Sequence, residues 1–386
     1  MATATEQAQE SCPFSPDQRR STVAPGLLKN TKVVQGYASV RDVLRNPEAK
    51  QAGFKAELIN RGGLTRPPIL FLSGDAHRQQ RAATARFFSP RVVEERHRPD
   101  IEHQVDRIIA GLRNSGSARL DDLALDLAVS VAATIVGLTN SDRSGMIRRL
   151  DAFFSVGTAL RNGVLARAMT FLQGQARMLH FHLADVRPAI AARRKAPQED
   201  VISHLIAEGH RDRDILVECF TYGAAGMVTT REFITMAGWH LLEDAPLRAR
   251  FLKGERAARI AILEEILRLE PVVGSLYRRM EGRAEALELD IRSANSDPEA
   301  VGPCPFHIDP DRSRARRVGG AGMAFGDGEH RCPGADVALA EAEIFLERLL
   351  RLPGLTLERA PDVGWNRLVT GYELRGCRVA LNAEDS

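Results

Sequence analysis

With 386 residues, 44% of them hydrophobic and 27% charged, the chain has the composition of a soluble globular protein and enough length for one large buried core. A formal net charge of +3 is too small for a nucleic-acid-binding surface, and no apolar run is long enough to span a bilayer, so neither nucleic acid nor membrane is an expected partner. The five cysteines, Cys12, Cys219, Cys304, Cys332 and Cys377, are odd in number and scattered. They suggest no disulfide framework and no paired Cys-x-x-Cys metal site, which fits a reducing cytoplasm.

Residues 1–30 form a polar, proline-containing lead-in without the apolar core of a signal peptide, and 31–386 read as a single domain. Val33–Tyr37 predicts an early strand. From there to about residue 270 the apolar periodicity is helical, in stretches near 90–113, 121–138, 142–159, 163–195, 212–243 and 246–253. Asp121 and Asp122 stand where acidic side chains suit a helix N-terminus. Residues 196–200 are a polar break between two long helices. Inside the 212–243 run lies Gly223-Ala224-Ala225-Gly226-Met227-Val228-Thr229-Thr230. Glycine costs about 1 kcal/mol in a helix interior, so its presence there suggests a close ligand or a bent ladder. A threonine at that point can turn its hydroxyl onto a backbone carbonyl and open the helix. Short strands are predicted near 355–359 and 374–381. The fold class is mainly α with small β-sheets, and no internal repeat is present.

The most informative segment is Phe325-Gly326-Asp327-Gly328-Glu329-His330-Arg331-Cys332-Pro333-Gly334, which opens an apolar helix through Ala338, Leu339, Ala342, Phe345, Leu346 and Leu349. A cysteine at a helix N-terminus faces unpaired N–H groups that favour a thiolate. Glycines at 326 and 328 allow a tight turn and the close approach of a large flat ligand. One thiolate without neighbouring ligands suits a haem iron, whereas zinc and iron–sulfur clusters need several protein ligands. Cys12 and Cys304 also precede proline but lie in no glycine loop, and read as structural.

This segment resembles the haem-binding signature of the cytochrome P450 family, Phe-Gly-x-Gly-x-His-x-Cys-x-Gly, at every defined position. The resemblance extends over most of the chain and is weakest in the first thirty residues and between Arg279 and Phe306. It implies the cytochrome P450 fold, haem b held by Cys332, and contacts to the cofactor from Phe325, Gly326, His330 and Gly334. Glu265 and Arg268, spaced i and i+3, look like the family's Glu-x-x-Arg pair, a buried prop for the cysteine loop. In the family a further arginine before a phenylalanine joins that pair; here Pro305 precedes Phe306 and the next arginine is Arg312. His77 and Arg81, one helical turn apart, resemble the pair that binds haem propionates, with His330 and either Arg278 or Arg279 opposite.

The Gly223–Thr230 segment looks like the family's oxygen-activation motif. The match makes Thr229 the hydroxyl that hydrogen-bonds bound dioxygen, with Ala225 and Gly226 leaving room above the iron. Val228 stands at the position of the usual acid and relays no proton; Glu232, one turn on, is the candidate substitute. By fold position the substrate pocket is expected among Phe54, Leu58, Ile69, Leu70, Phe153, Phe154, Met169, Met227, Val273 and Leu276, an apolar set suited to a small hydrophobic substrate.

The resemblance implies a monooxygenase that uses O2 and takes electrons from a separate ferredoxin and ferredoxin reductase, since no redox module is fused. Val228 motivates two alternatives, a peroxide-using enzyme and a non-hydroxylating catalyst such as an oxidative coupler. A haem sensor without catalysis is the remaining class.

Overall fold

The computed structural model describes residues 13–20, 31–53, 67–154, 164–366 and 370–382. Its centre is a helix that is apolar on every side, α4 (Leu120–Val136), preceded in the chain by α1 (Tyr37–Arg45), α2 (Gly74–Ala85) and α3 (Arg98–Ser115). Such a helix can only be buried, and Leu120, Ala124, Leu127 and Val129 are fully enclosed. Asp121 and Asp122 occupy its first turn, and Gly137 ends it in the left-handed conformation at φ 100°.

After α5 (Arg143–Phe154), α6 (Val164–Phe181), α7 (Arg187–Lys195) and α8 (Val201–Ala207) comes the long central helix. It consists of α9 (Asp212–Tyr222), a π-helical turn at Gly223–Val228, and α10 (Thr229–Glu243). The 212–243 run predicted from periodicity is therefore one helix with a bulge at its glycines. Two further helices follow, α11 (Ala245–Lys253) and α12 (Arg256–Leu269), then the short α13 (Ile291–Asn295), and last α14 (Ala335–Leu350). α10 packs on α4, and α14 packs on α3, α10 and α12. Gly238 marks that crossing: a Cβ there would lie 2.8 Å from Leu120 Cδ2 and 3.2 Å from Leu346 Cδ2. Among the described residues no helix is long and apolar enough to cross a membrane.

The β portion forms three small sheets. The first has the order β1-β5-β4-β2, from β1 (Thr31–Val34), β2 (Ala49–Ala52), β4 (Ser275–Met280) and β5 (Ala286–Asp290). β1 runs parallel to β5, and the other pairs are antiparallel. The stretch after Arg279, short in sequence, does form a hairpin, with Arg278 paired to Leu287. The second sheet joins β3 (Ser117–Arg119), β9 (Arg378–Leu381) and β6 (Leu355–Arg359), and the third pairs β7 (Asp362–Asn366) with β8 (Gly371–Arg375).

Three expectations are corrected. The early strand stops at Val34, because Gly36 turns the chain at φ 79° and the Tyr37 N–H donates to Asp297 Oδ2 at 2.8 Å, starting α1. The 374–381 strand is two strands in different sheets, switched at Gly376 with φ 73°. Cys304 is disulfide-bonded, a single link that leaves no spacing signature for sequence reading to find. Within the polar lead-in, Pro13–Arg20 lies against the end of α12: the Arg20 N–H donates to Glu270 Oε1 at 2.6 Å, and Arg19 Nη2 donates to the Arg292 carbonyl at 2.8 Å.

Candidate active site

Cys332 lies just ahead of α14, in a loop closed by its own N–H donating to the Phe325 carbonyl at 2.8 Å. Gly326 and Gly328 both have φ 68°, the left-handed region that favours glycine. At Gly328 space forbids a side chain as well, since a Cβ would lie 2.4 Å from the Leu44 carbonyl oxygen of α1. The neighbouring Asp327 is paired with Arg45 of the same helix at 2.9 Å.

Burial pushes the Cys332 thiol above its ordinary pKa, while the Gly334 N–H and the charges of Arg81 and Arg331 pull it down. The helix-end stabilisation expected from the sequence is present but outweighed, so a bound cation is what would hold the sulfur as thiolate. Among the described residues no group of three or more His, Cys, Asp or Glu side chains could hold a metal.

The loop is held from below by Glu265 and Arg268, both 0% exposed and paired through two hydrogen bonds, Arg268 Nη2 to Glu265 Oε1 at 2.8 Å and Nε to Oε2 at 2.9 Å. Two further arginines complete the network. Arg312 Nε donates to Glu265 Oε1 at 2.7 Å and Arg314 Nη2 to Oε2 at 2.9 Å. Arg268 Nη1 donates to the Asn295 carbonyl, Asn295 Oδ1 accepts from the Met323 N–H at 2.6 Å, and the Met323 carbonyl accepts from the Gly326 N–H at 2.8 Å. The buried pair thus reaches the cysteine loop through two connecting residues, Asn295 and Met323. Asn295 and Arg314 were missed in the sequence. The spacing Arg312-x-Arg314 was the available signal for Arg314, and Asn295 had none.

Above the loop the predicted basic residues come together. The His77 and His330 rings are 4.3 Å apart, His77 is buried, and its Nδ1 has no hydrogen-bond partner. Arg278 is buried on β4 near His330; Arg279, next along the strand, points to the opposite face. Burial and the neighbouring Arg278, His77 and Arg81 push His330 down to about 3, and burial lowers His77 and brings Arg278 to about 10. At neutral pH the cluster therefore holds two neutral imidazoles and charged guanidiniums. The Glu329 carboxylate stands among them, 3.9 Å from His77 Nδ1 and 3.4 Å from His330 Nε2. Arg81 turns to the Arg331 carbonyl at 2.7 Å. An orphaned donor and a carboxylate already drawn into the cluster are what a site for a carboxylate-bearing ring should show, and a Cβ added at Gly226 would meet nothing nearer than 4.0 Å. The residues fit haem.

On the central helix the Thr229 hydroxyl donates to the Ala225 carbonyl at 2.5 Å, across the π-helical turn. Ala225 is exposed and Gly226 half-buried, while Val228 is buried in the apolar core. Glu232 is not poised as a proton relay. It is fully buried and accepts from Arg231 Nε at 2.9 Å, Arg375 Nη1 at 2.8 Å and the Leu374 N–H at 2.7 Å, so both oxygens are committed to pinning α10 to β8.

Of the pocket candidates, Phe54 and Leu58 and the side chains of Phe153 and Phe154 lie outside the described residues. Ile69 and Leu70 are half-buried in a 3-10 turn, Ile69–Phe71, just ahead of α2. Val273 is half-buried and bridges to Gly371, and Leu276 is half-buried against the small core around Tyr37 and Leu289. Met227 is 1% exposed within the main core, and Met169 is 57% exposed.

The chain is 27% identical over 360 residues to cytochrome P450 107B1 of Saccharopolyspora erythraea, an alignment covering 86% of this chain and 84% of that protein. It is 28% identical over 319 residues to nocardicin C N-oxygenase of Nocardia uniformis, covering 78% and 75%. The crystal structure of CalO2 superposes with a TM-score of 0.77 at 22% identity, covering 98% of this chain and 95% of that one. That of P450BioI in complex with a fatty-acyl-loaded acyl carrier protein gives 0.75 at 21% identity, covering 98% and 97%. No protein-family model matches the sequence.

The chain is similar over most of its length to bacterial cytochrome P450 proteins. The fold is that of the solved relatives, mainly helical with small sheets, and the cofactor is haem b. The activity this similarity supports is that of a haem-thiolate monooxygenase, and its relatives imply a small hydrophobic substrate and an external electron donor.

Proposed function

We propose that this protein hydroxylates, or otherwise oxidises, a small apolar substrate bound above Thr229, with Cys332 as the proximal ligand and a ferredoxin as the immediate electron donor. The observation that carries the reading is the convergence on one loop of a lone cysteine, a propped backbone and a carboxylate-seeking cluster of His77, Arg81, Arg278 and His330. Haem, when bound, supplies dioxygen activation, and a thiolate ligand promotes cleavage of the O–O bond.

The chain's own residues do the rest. Arg278 and Arg81 would neutralise the propionates while neutral His77 and His330 donate N–H groups to them. The Glu265–Arg268 network fixes the height of the Cys332 loop. Thr229, whose hydroxyl now satisfies the Ala225 carbonyl, can rotate to offer its proton toward the space beside Ala225 and Gly226. Half-buried Ile69, Leu70 and Val273 contribute apolar wall.

The test is the absorption spectrum of the reduced protein under carbon monoxide. The far-red-shifted Soret band of a thiolate-ligated haem is expected, and Cys332→His should abolish it. A wild-type band at the position typical of imidazole-ligated haem would overturn the assignment of Cys332.

Val228 supports a second reading, in which peroxide replaces O2 and reductant. The acid position is apolar and Glu232 is tied to Arg231 and Arg375, so no carboxylate of this turn is free to pass protons. Comparing product formed with hydrogen peroxide against product formed with a ferredoxin system decides between the two.

A further inference from the structure

The central helix carries an acid that this chemistry leaves unused. Glu218, on α9, is 2% exposed and faces the Ile69–Phe71 turn and α2. Its Oε1 accepts from the Ile69 N–H at 3.1 Å and from Gln80 Nε2 at 2.7 Å, while Oε2 is buried without a partner among the described residues.

The ionisable groups nearby offer it no counter-charge. Cys219 and Tyr222, on its own helix, are both pushed upward by burial and stay neutral. On α2, Arg81 turns to the Arg331 carbonyl and His77 to the His330 ring. On α8 and just before it, His204 meets Arg86 and Asp200 is paired with Arg193. Asp126 of α4 is paired with Arg107, and Asp185, in the turn before α7, with Arg149. The covering turn itself has no ionisable side chain. Burial, opposed only by the two hydrogen bonds, raises Glu218 to about 7.

A neutral carboxyl suits this seam and a carboxylate does not. Ionisation would place charge beside a buried oxygen that has no donor or cation among the described residues. The Ile69–Phe71 turn bonded to it is only half-buried, so lifting that turn would admit water.

We infer that Glu218 is a positioning residue whose protonated carboxyl seats the Ile69–Phe71 turn, and with it one wall of the substrate pocket, and that ionisation lets the turn lift. The pocket half of this inference rests on the function proposed above; the seat does not. The carboxyl's contribution to the seat is greatest while it is protonated and is lost as pH rises through about 7.

Hydrogen–deuterium exchange on the holoenzyme, read at the amides of residues 67–73 one pH unit either side of about 7 and corrected for base catalysis, tests the seat. Protection in the wild type should fall by about tenfold at the higher pH, the change expected for one unit of coupling. Glu218→Gln, which keeps an acceptor oxygen and cannot ionise, should show no such fall. Equal protection at both pH values in the wild type overturns the inference, and so does an undiminished fall in Glu218→Gln. The wild-type comparison decides even if the variant does not fold. The carbon monoxide spectrum of the same samples reports separately on the haem-thiolate reading.

Discussion

A threonine hydroxyl bonded to the carbonyl four residues back leaves a helix locally loosened and its own proton available for exchange. That is the state of Thr229, whose hydroxyl donates to the Ala225 carbonyl. Thr229→Ala should leave haem content and fold intact while product per reductant consumed falls on the order of tenfold or more, the scale of a lost proton-transfer group. Measuring product and reductant together checks this, and unchanged coupling would remove Thr229 from the proton route. Glu232 should behave in the opposite way. Its carboxylate is enclosed by Arg231, Arg375 and the Leu374 N–H, and removing one partner of a buried pair costs about 3–5 kcal/mol. Glu232→Gln should therefore lower the unfolding midpoint sharply with coupling unchanged in the folded fraction. A normal midpoint with altered coupling would restore Glu232 as a relay. The sequence could place both residues on one helix. It could not reveal that Glu232 points at β8, because its partner Arg375 is more than a hundred residues away and belongs to a strand whose limits were misread.

At the scale of elements, the cysteine loop was legible because its chemistry is local: two glycines with φ 68°, one sulfur and the start of α14 all fall within a dozen residues. The prop beneath it was only half legible. Glu265 and Arg268 share a helix turn and can be paired by counting. Arg312, Arg314 and Asn295 come from irregular chain and α13, which no periodicity describes, and they meet Glu265 and Arg268 only after folding. The pocket wall was least legible, since an apolar residue reads alike in core and cavity, as Met227 shows. The network still makes a definite claim. Glu265→Ala would leave Arg268, Arg312 and Arg314 facing one another without their shared carboxylate, at a cost of about 3–5 kcal/mol or more. Loss of bound haem, measured as the ratio of Soret to protein absorbance, is the expected outcome, and Arg268→Lys should lose less because charge survives while the paired geometry does not. Full haem content in Glu265→Ala would mean that the Met323–Gly326 turn holds the loop unaided.

The whole molecule divides its charge in a way that net composition conceals. A formal charge of +3 over 386 residues says little, yet Arg331, exposed on the cysteine loop, forms no ion pair among the described residues, and Arg78, also exposed, is paired only with Asp75 of its own helix. Cys332 lies beside Arg331, so this face is the candidate docking surface for an electron donor. An acidic donor would be steered there by opposite charge, and such steering weakens as salt shortens the reach of the field to about 10 Å at 0.1 M. Reduction by a ferredoxin should accelerate as ionic strength falls, and Arg331→Glu should slow it and flatten the salt dependence while leaving the carbon monoxide spectrum unchanged. Stopped-flow reduction at several salt concentrations measures both. A wild-type rate indifferent to salt would place the donor on another surface, whereas a salt-sensitive rate unaltered by Arg331→Glu would keep electrostatic docking and move its centre away from the cysteine loop.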